Sequence, residues 1–86
     1  MSRTVNPKSR FRGRVIGQHS CYWTVEPVLD DGRTDPHKAQ FLRPHEFVGV
    51  KRIKIGMEGT MQYEVGGNMG LYYFYPKGVK IPGGGK

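Results

Sequence analysis

"EGTMQYEVGGNMGLYYFYPKGVKI", residues 58–81, is the stretch on which the fold turns. Within residues 58–65, Met61, Tyr63 and Val65 alternate with Thr60, Gln62 and Glu64. Successive side chains of a strand point to opposite faces, so this alternation predicts a strand. Gly66, Gly67 and Asn68 tolerate positive φ and predict a hairpin turn. Residues 71–81 then predict a second strand, with Tyr72, Tyr73, Phe74 and Tyr75 in a row. If Leu71, Tyr73 and Tyr75 face one way, Tyr72 and Phe74 face the other. One set closes a core, and at least one ring of 72–75 is expected to remain exposed.

The rest of the chain reads the same way. No window of 11 or more residues keeps an apolar period of 3.6 without a glycine or proline interrupting it. Thirteen glycines and six prolines punctuate the sequence, and the segments between them are short and rich in Val, Ile, Tyr, Phe and Thr. "RFRGRVIGQ", 10–18, predicts a first strand with Phe11, Gly13 and Val15 on one face and Arg10, Arg12, Arg14 and Ile16 on the other. "CYWTVEPVL", 21–29, predicts a second, with Trp23 and Val25 inward, Tyr22 outward, and an edge or bulge at Pro27. "DDGRTDP", 30–36, is a turn by composition. "HKAQFLR", 37–43, predicts a third strand with Leu42 inward and Phe41 and Arg43 outward. Residues 45–56 form a longer connection with a short helical turn at its start. Trp23, Leu42 and Tyr63 are the expected core residues of strands two, three and four.

Five short strands in so small a chain would leave one face and two edges unprotected as an open sheet. The expected fold is therefore all-β, a small five-stranded barrel that is OB-fold-like, with an SH3-like barrel as the alternative. Residues 1–9 read as a flexible basic arm, 10–81 as a single β-barrel domain, and 82–86 as a flexible glycine-rich tail.

Charge points to the partner. Fourteen Lys+Arg stand against seven Asp+Glu in 86 residues, a formal net charge of +7. That balance favours a polyanion, nucleic acid before an anionic membrane surface. Cys21 is the single cysteine and cannot form an internal disulfide, and the three histidines lack metal-ligand spacing. His19, Ser20 and Cys21 are adjacent, but neighbours on a strand face opposite sides and make no triad. The glycine-rich "IPGGGK" precedes no helix and is no phosphate loop. The reading is no enzyme, no cofactor and no metal. No apolar run of membrane-spanning length occurs, and the polar start of the chain lacks the apolar segment of a secretory signal. A cytoplasmic protein with no membrane partner, a monomer or weak homodimer, is expected.

The outward faces supply a candidate surface. Arg10, Arg12 and Arg14 repel one another along one strand face, and a phosphate backbone would offset that repulsion. Phe41 lies between Lys38 and Arg43, a ring flanked by cations on which a base can stack. Tyr22 is outward on the neighbouring strand, and Tyr72, Phe74 and Lys77 extend the set on the fifth.

The order of segments resembles cold-shock and related initiation-factor-type RNA-binding OB-fold domains. "RFRGRVIG" is similar to their first strand, "AQFLRPHEF" to the third strand with its outward Phe and core aliphatic, and "IKIGMEGTMQYEV" to the fourth. "CYWTVEPV" matches their second strand in part, and Arg43 stands where the family has an outward His. The resemblance implies a non-catalytic module for single-stranded nucleic acid, RNA or DNA. The alternative is a protein-interaction module, or a small inhibitor that binds a larger, nucleic-acid-processing protein.

Overall fold

The structure is a computed structural model that describes residues 4–66 and 69–81, with the backbone alone for 4–9 and 66. Five strands are arranged as one antiparallel sheet: β1 Thr4–His19, β2 Tyr22–Pro27, β3 Gln40–Leu42, β4 Glu58–Gly66 and β5 Met69–Pro76. Short 3-10 turns at Pro36–Lys38 and Pro44–Glu46 flank β3. Among the described residues there is no α-helix, so no helix long and apolar enough to cross a membrane.

The sheet order is β3-β2-β1-β4-β5. The long β1 serves two partners: its first part pairs with β4 and its last part with β2, and the two ladders overlap at Gly13 and Arg14. A register shift between Val15 and Gly17 bends the strand where it leaves one partner for the other. The ends of the sheet approach each other beyond β3. There Phe47 bridges Phe74 in parallel sense, and Val48 N–H donates to the Phe74 carbonyl at 2.8 Å. These bonds nearly close the barrel. A first strand shared between the second and the fourth is consistent with an OB-like barrel and satisfies most edges by closure.

The inward face follows the sequence alternation. Val15, Val25, Leu42, Phe47, Met61 and Phe74 form the buried core. Gly13 and Gly59 face each other across β1 and β4. A Cβ on Gly13 would lie 2.7 Å from Val25 and 2.8 Å from Met61, and one on Gly59 would run into the Tyr75 carbonyl oxygen and lie 2.9 Å from the Pro76 Cα. Only glycine lets the strands come this close.

Several boundaries differ from the sequence reading, each for a local reason. Strand β1 begins at Thr4 rather than at 10, because Thr4 and Val5 pair with Val65 and Glu64 across a second register shift. The backbone of 4–9 is therefore strand and not arm. Residues 1–3 and the tail 82–86 lie outside the described residues, as do Gly67 and Asn68 of the expected turn, while the β4–β5 ladder runs to Gly66↔Met69. The third strand is shorter than 37–43. The Asp35 carboxylate accepts from His37 N–H at 2.9 Å and Pro36 opens the turn, a helical start signal that takes 37 and 38 out of the strand. Strand β5 stops at Pro76, where Lys77 and Gly78 turn the chain and Gly78 takes φ 93°.

The four rings of 72–75 also differ from expectation: none is exposed. Phe74 lies in the core with its ring centroid 5.1 Å from that of Phe47. Tyr72 is half-buried between Phe11 and Tyr63, at centroid separations of 5.6 and 5.0 Å. Tyr75 is on the opposite face yet also buried, and its hydroxyl donates to Glu64 Oε2 at 2.5 Å. Gln62 and Glu64 are buried on that same face. The end of the barrel built by β4 and β5 thus has packed residues on both sides of the sheet. Of the expected core residues, Leu42 is fully buried while Trp23 and Tyr63 are half-buried, and the Tyr63 ring covers Gly70.

Candidate functional site

The site begins with the pairing of β2 and β3. Trp23 pairs with Leu42 and Thr24 with Phe41. Leu42 is 1% exposed, so the register sends its neighbour Phe41 outward, where it is 66% exposed. Tyr22 and Arg43 share the outward side. The Arg43 guanidinium lies over the Tyr22 ring, 5.5 Å from its centroid, and Nη2 donates to the phenol oxygen at 3.3 Å. That hydrogen bond, followed by the attraction of the phenol oxygen, pushes the guanidinium pKa above its already high ordinary value. Arg43 is a permanent cation held as a flat plate beside Tyr22.

The 3-10 turn after β3 completes the wall. Pro44 fixes the start of the turn, and Arg43 N–H donates to Glu46 Oε1 at 2.8 Å. This local bond draws the Glu46 side chain in until it is 10% exposed. His45 stays on the surface with Nε2 3.9 Å from Glu46 Oε2. The start of β5 supplies the opposite wall through Met69 and Leu71. Together these residues enclose an open groove of about 430 Å³ lined by Tyr22, Phe41, Arg43, His45 and Glu46 on one side and Met69 and Leu71 on the other.

A second groove, of about 460 Å³, lies along β1 and β4 and is lined by Arg12, Glu58, Gly59, Thr60 and Lys77. Glu58 gathers the arginines here: Arg14 donates to Oε2 at 2.6 Å and Arg12 Nη2 stands 3.5 Å from Oε1. Arg14 Nη2 also donates to the Gly32 carbonyl at 3.0 Å. The hydrogen bond from Arg14 leads the causes that hold the Glu58 carboxyl below the ordinary carboxylate range.

The residues expected at the site therefore fall into separate groups. Tyr22, Phe41 and Arg43 meet in the first groove. Arg12 and Lys77 meet in the second, with Arg14 joined to it through Glu58. Arg10 is half-buried and bonded to Gln62, and Lys38 is exposed on the 3-10 turn before β3. Phe74 is a correction, since it belongs to the core, and Tyr72 is half-buried with its ring packed against Phe11 and Tyr63 rather than in either groove. Sequence reasoning missed His45, Glu46, Met69 and Leu71. A signal existed for Glu46, since a glutamate three residues after a helix cap is the reach-back position of a capping box. Met69 and Leu71 had none, because their place opposite Phe41 comes from barrel closure.

Compared with known proteins, the chain matches no family model, no curated relative and no solved structure.

Proposed function

We propose that this protein is a non-catalytic module that binds single-stranded nucleic acid in the Tyr22–Phe41–Arg43 groove, in the manner of the cold-shock-like RNA-binding barrels that its sequence resembles. The observation that carries the proposal is the 66% exposure of Phe41 beside a cation stacked on Tyr22. An isolated phenylalanine on an outward strand face costs solubility and adds nothing to a core, whereas a base stacked on it gains roughly 1–3 kcal/mol. Strands two and three form the face through which small OB-like barrels engage oligonucleotides, and Phe41, Tyr22 and Arg43 lie at that face or its margin. The +7 net charge supplies the sequence-independent attraction to phosphate. We assign the phosphate backbone to Arg12 and Lys77 of the second groove and to Lys38 of the turn before β3.

Fluorescence anisotropy with labelled single-stranded RNA, single-stranded DNA and duplex tests this. Single strands should bind best, and affinity should fall steeply between about 50 and 200 mM salt. Exposed Met69 in the same groove favours a second reading, a protein-docking face. A salt-insensitive protein complex without nucleic-acid binding would support that reading instead.

A further inference from the structure

We infer that Glu46 makes the groove selective for a base that presents N–H donors on its pairing edge, guanine above all, and disfavours uracil and thymine; this rests on the nucleic-acid reading above. Glu46 lies in the groove wall beside Phe41, and its side chain is nine-tenths buried. Its two oxygens are in different situations. Oε1 accepts the Arg43 N–H at 2.8 Å and is committed to the 3-10 turn. Oε2 accepts no hydrogen bond among the described residues, and the imidazole near it, His45 Nε2, is 3.9 Å away, beyond hydrogen-bond reach.

An ionised carboxylate only accepts hydrogen bonds and has room for about four donors. In the free protein, the donor left for Oε2 would be water entering from the open groove. A base stacked on Phe41 displaces that water, and the carboxylate is left in a smaller dielectric with a full charge. Unless the base brings donors, the loss of hydration opposes binding. Guanine brings two adjacent donors, N1–H and the N2 amino group, one for Oε2 and one for the second lone pair of Oε1 that the Arg43 N–H leaves unused. Cytosine and adenine bring one amino group each. Uracil and thymine set a single N–H between two carbonyl oxygens, and those oxygens repel the carboxylate. An interaction of this kind discriminates by about tenfold or more.

Glu46→Gln separates this role from the structural one. The glutamine amide oxygen can still accept the Arg43 N–H, so the turn is kept, while its amide nitrogen replaces the acceptor Oε2 with a donor. The experiment titrates the full chain and the Glu46→Gln variant with a short labelled thymidine oligonucleotide carrying one central variable base. The expected result is that the guanine version binds the wild type about tenfold more tightly than the all-thymine version. In Glu46→Gln that gap closes from both sides, with the guanine version bound more weakly and the all-thymine version more tightly, while the circular dichroism spectrum is retained. Equal wild-type affinity for all versions overturns the selectivity and leaves the nucleic-acid reading standing. A guanine preference that survives Glu46→Gln overturns the role of Glu46. Absence of binding to every version overturns both.

Discussion

Arg43 both stacks on and hydrogen-bonds to Tyr22, with its guanidinium 5.5 Å from the ring centroid and Nη2 3.3 Å from the phenol oxygen. The two residues are 21 apart in sequence and meet because β2 and β3 are antiparallel neighbours. Each restrains the other, so the wall of the groove is formed before a ligand arrives. Tyr22→Phe removes the hydrogen bond but keeps the ring. It should change oligonucleotide affinity little, whereas Tyr22→Ala should lose roughly 1–3 kcal/mol, by analogy with single stacking interactions. Anisotropy titration of the two variants side by side measures the difference.

Glu58 pairs with Arg14 and Arg12, and in the proposed complex it would compete with phosphate for both. Glu58→Gln should free both arginines and strengthen single-strand binding at low salt. The slope of log affinity against log salt should steepen by about 0.7 for each further phosphate that is neutralised. The double change Arg12→Gln, Arg14→Gln should do the reverse. Slopes equal to wild type in both variants would mean that this groove does not touch the backbone.

The same carboxylate gives a pH dependence. Arg14 holds the Glu58 pKa below its ordinary value of 4.5. A depressed carboxylate contributes stability that is present above its unfolded pKa and is lost as pH falls through the folded one. The Glu58 titration observed by NMR should therefore lie on the acid side of that of an unpaired glutamate. In Arg14→Gln it should move back up. The side chain is 34% exposed, so solvent screening keeps the effect on folding small.

Gly59 should resist substitution. A Cβ there would run into the Tyr75 carbonyl oxygen, a backbone atom that cannot swing away. Gly59→Ala is expected to cost about 1–3 kcal/mol of stability, as overpacking does elsewhere. Urea unfolding checks this, and an unchanged midpoint would mean that β4 and β5 have room to separate at this point.

The sequence was legible where a single strand's alternation set the outcome. Leu42 and Phe41, Val15 and Arg14, Met61 and Gln62 take the inward and outward sides that parity assigns. It was illegible where distant segments meet. Phe74 is core because residues 47–48 close onto β5, and nothing periodic in that connection announces the closure. Arg10 is tied to Gln62, 52 residues away, so its place outside the groove could not be read from the arginine alternation. Gln62, Glu64 and Tyr75 are outward by parity and buried nonetheless, since parity assigns a face but not what packs on it. The glutamate in the groove wall was obscured for another reason: its local role in the turn and its position beside Phe41 are carried by the same side chain.

The central claim is that Phe41 serves binding and Leu42 serves folding, and one paired measurement tests it. Phe41→Ala and Leu42→Ala are each assayed for stability by urea unfolding and for affinity by anisotropy with a single-stranded oligonucleotide. Phe41→Ala should lose roughly 1–3 kcal/mol of affinity and keep wild-type stability. Leu42→Ala should lose roughly 2–5 kcal/mol of stability, with its folded fraction still binding. If Phe41→Ala binds as tightly as the wild type, or if it unfolds the domain while Leu42→Ala does not, the claim is contradicted.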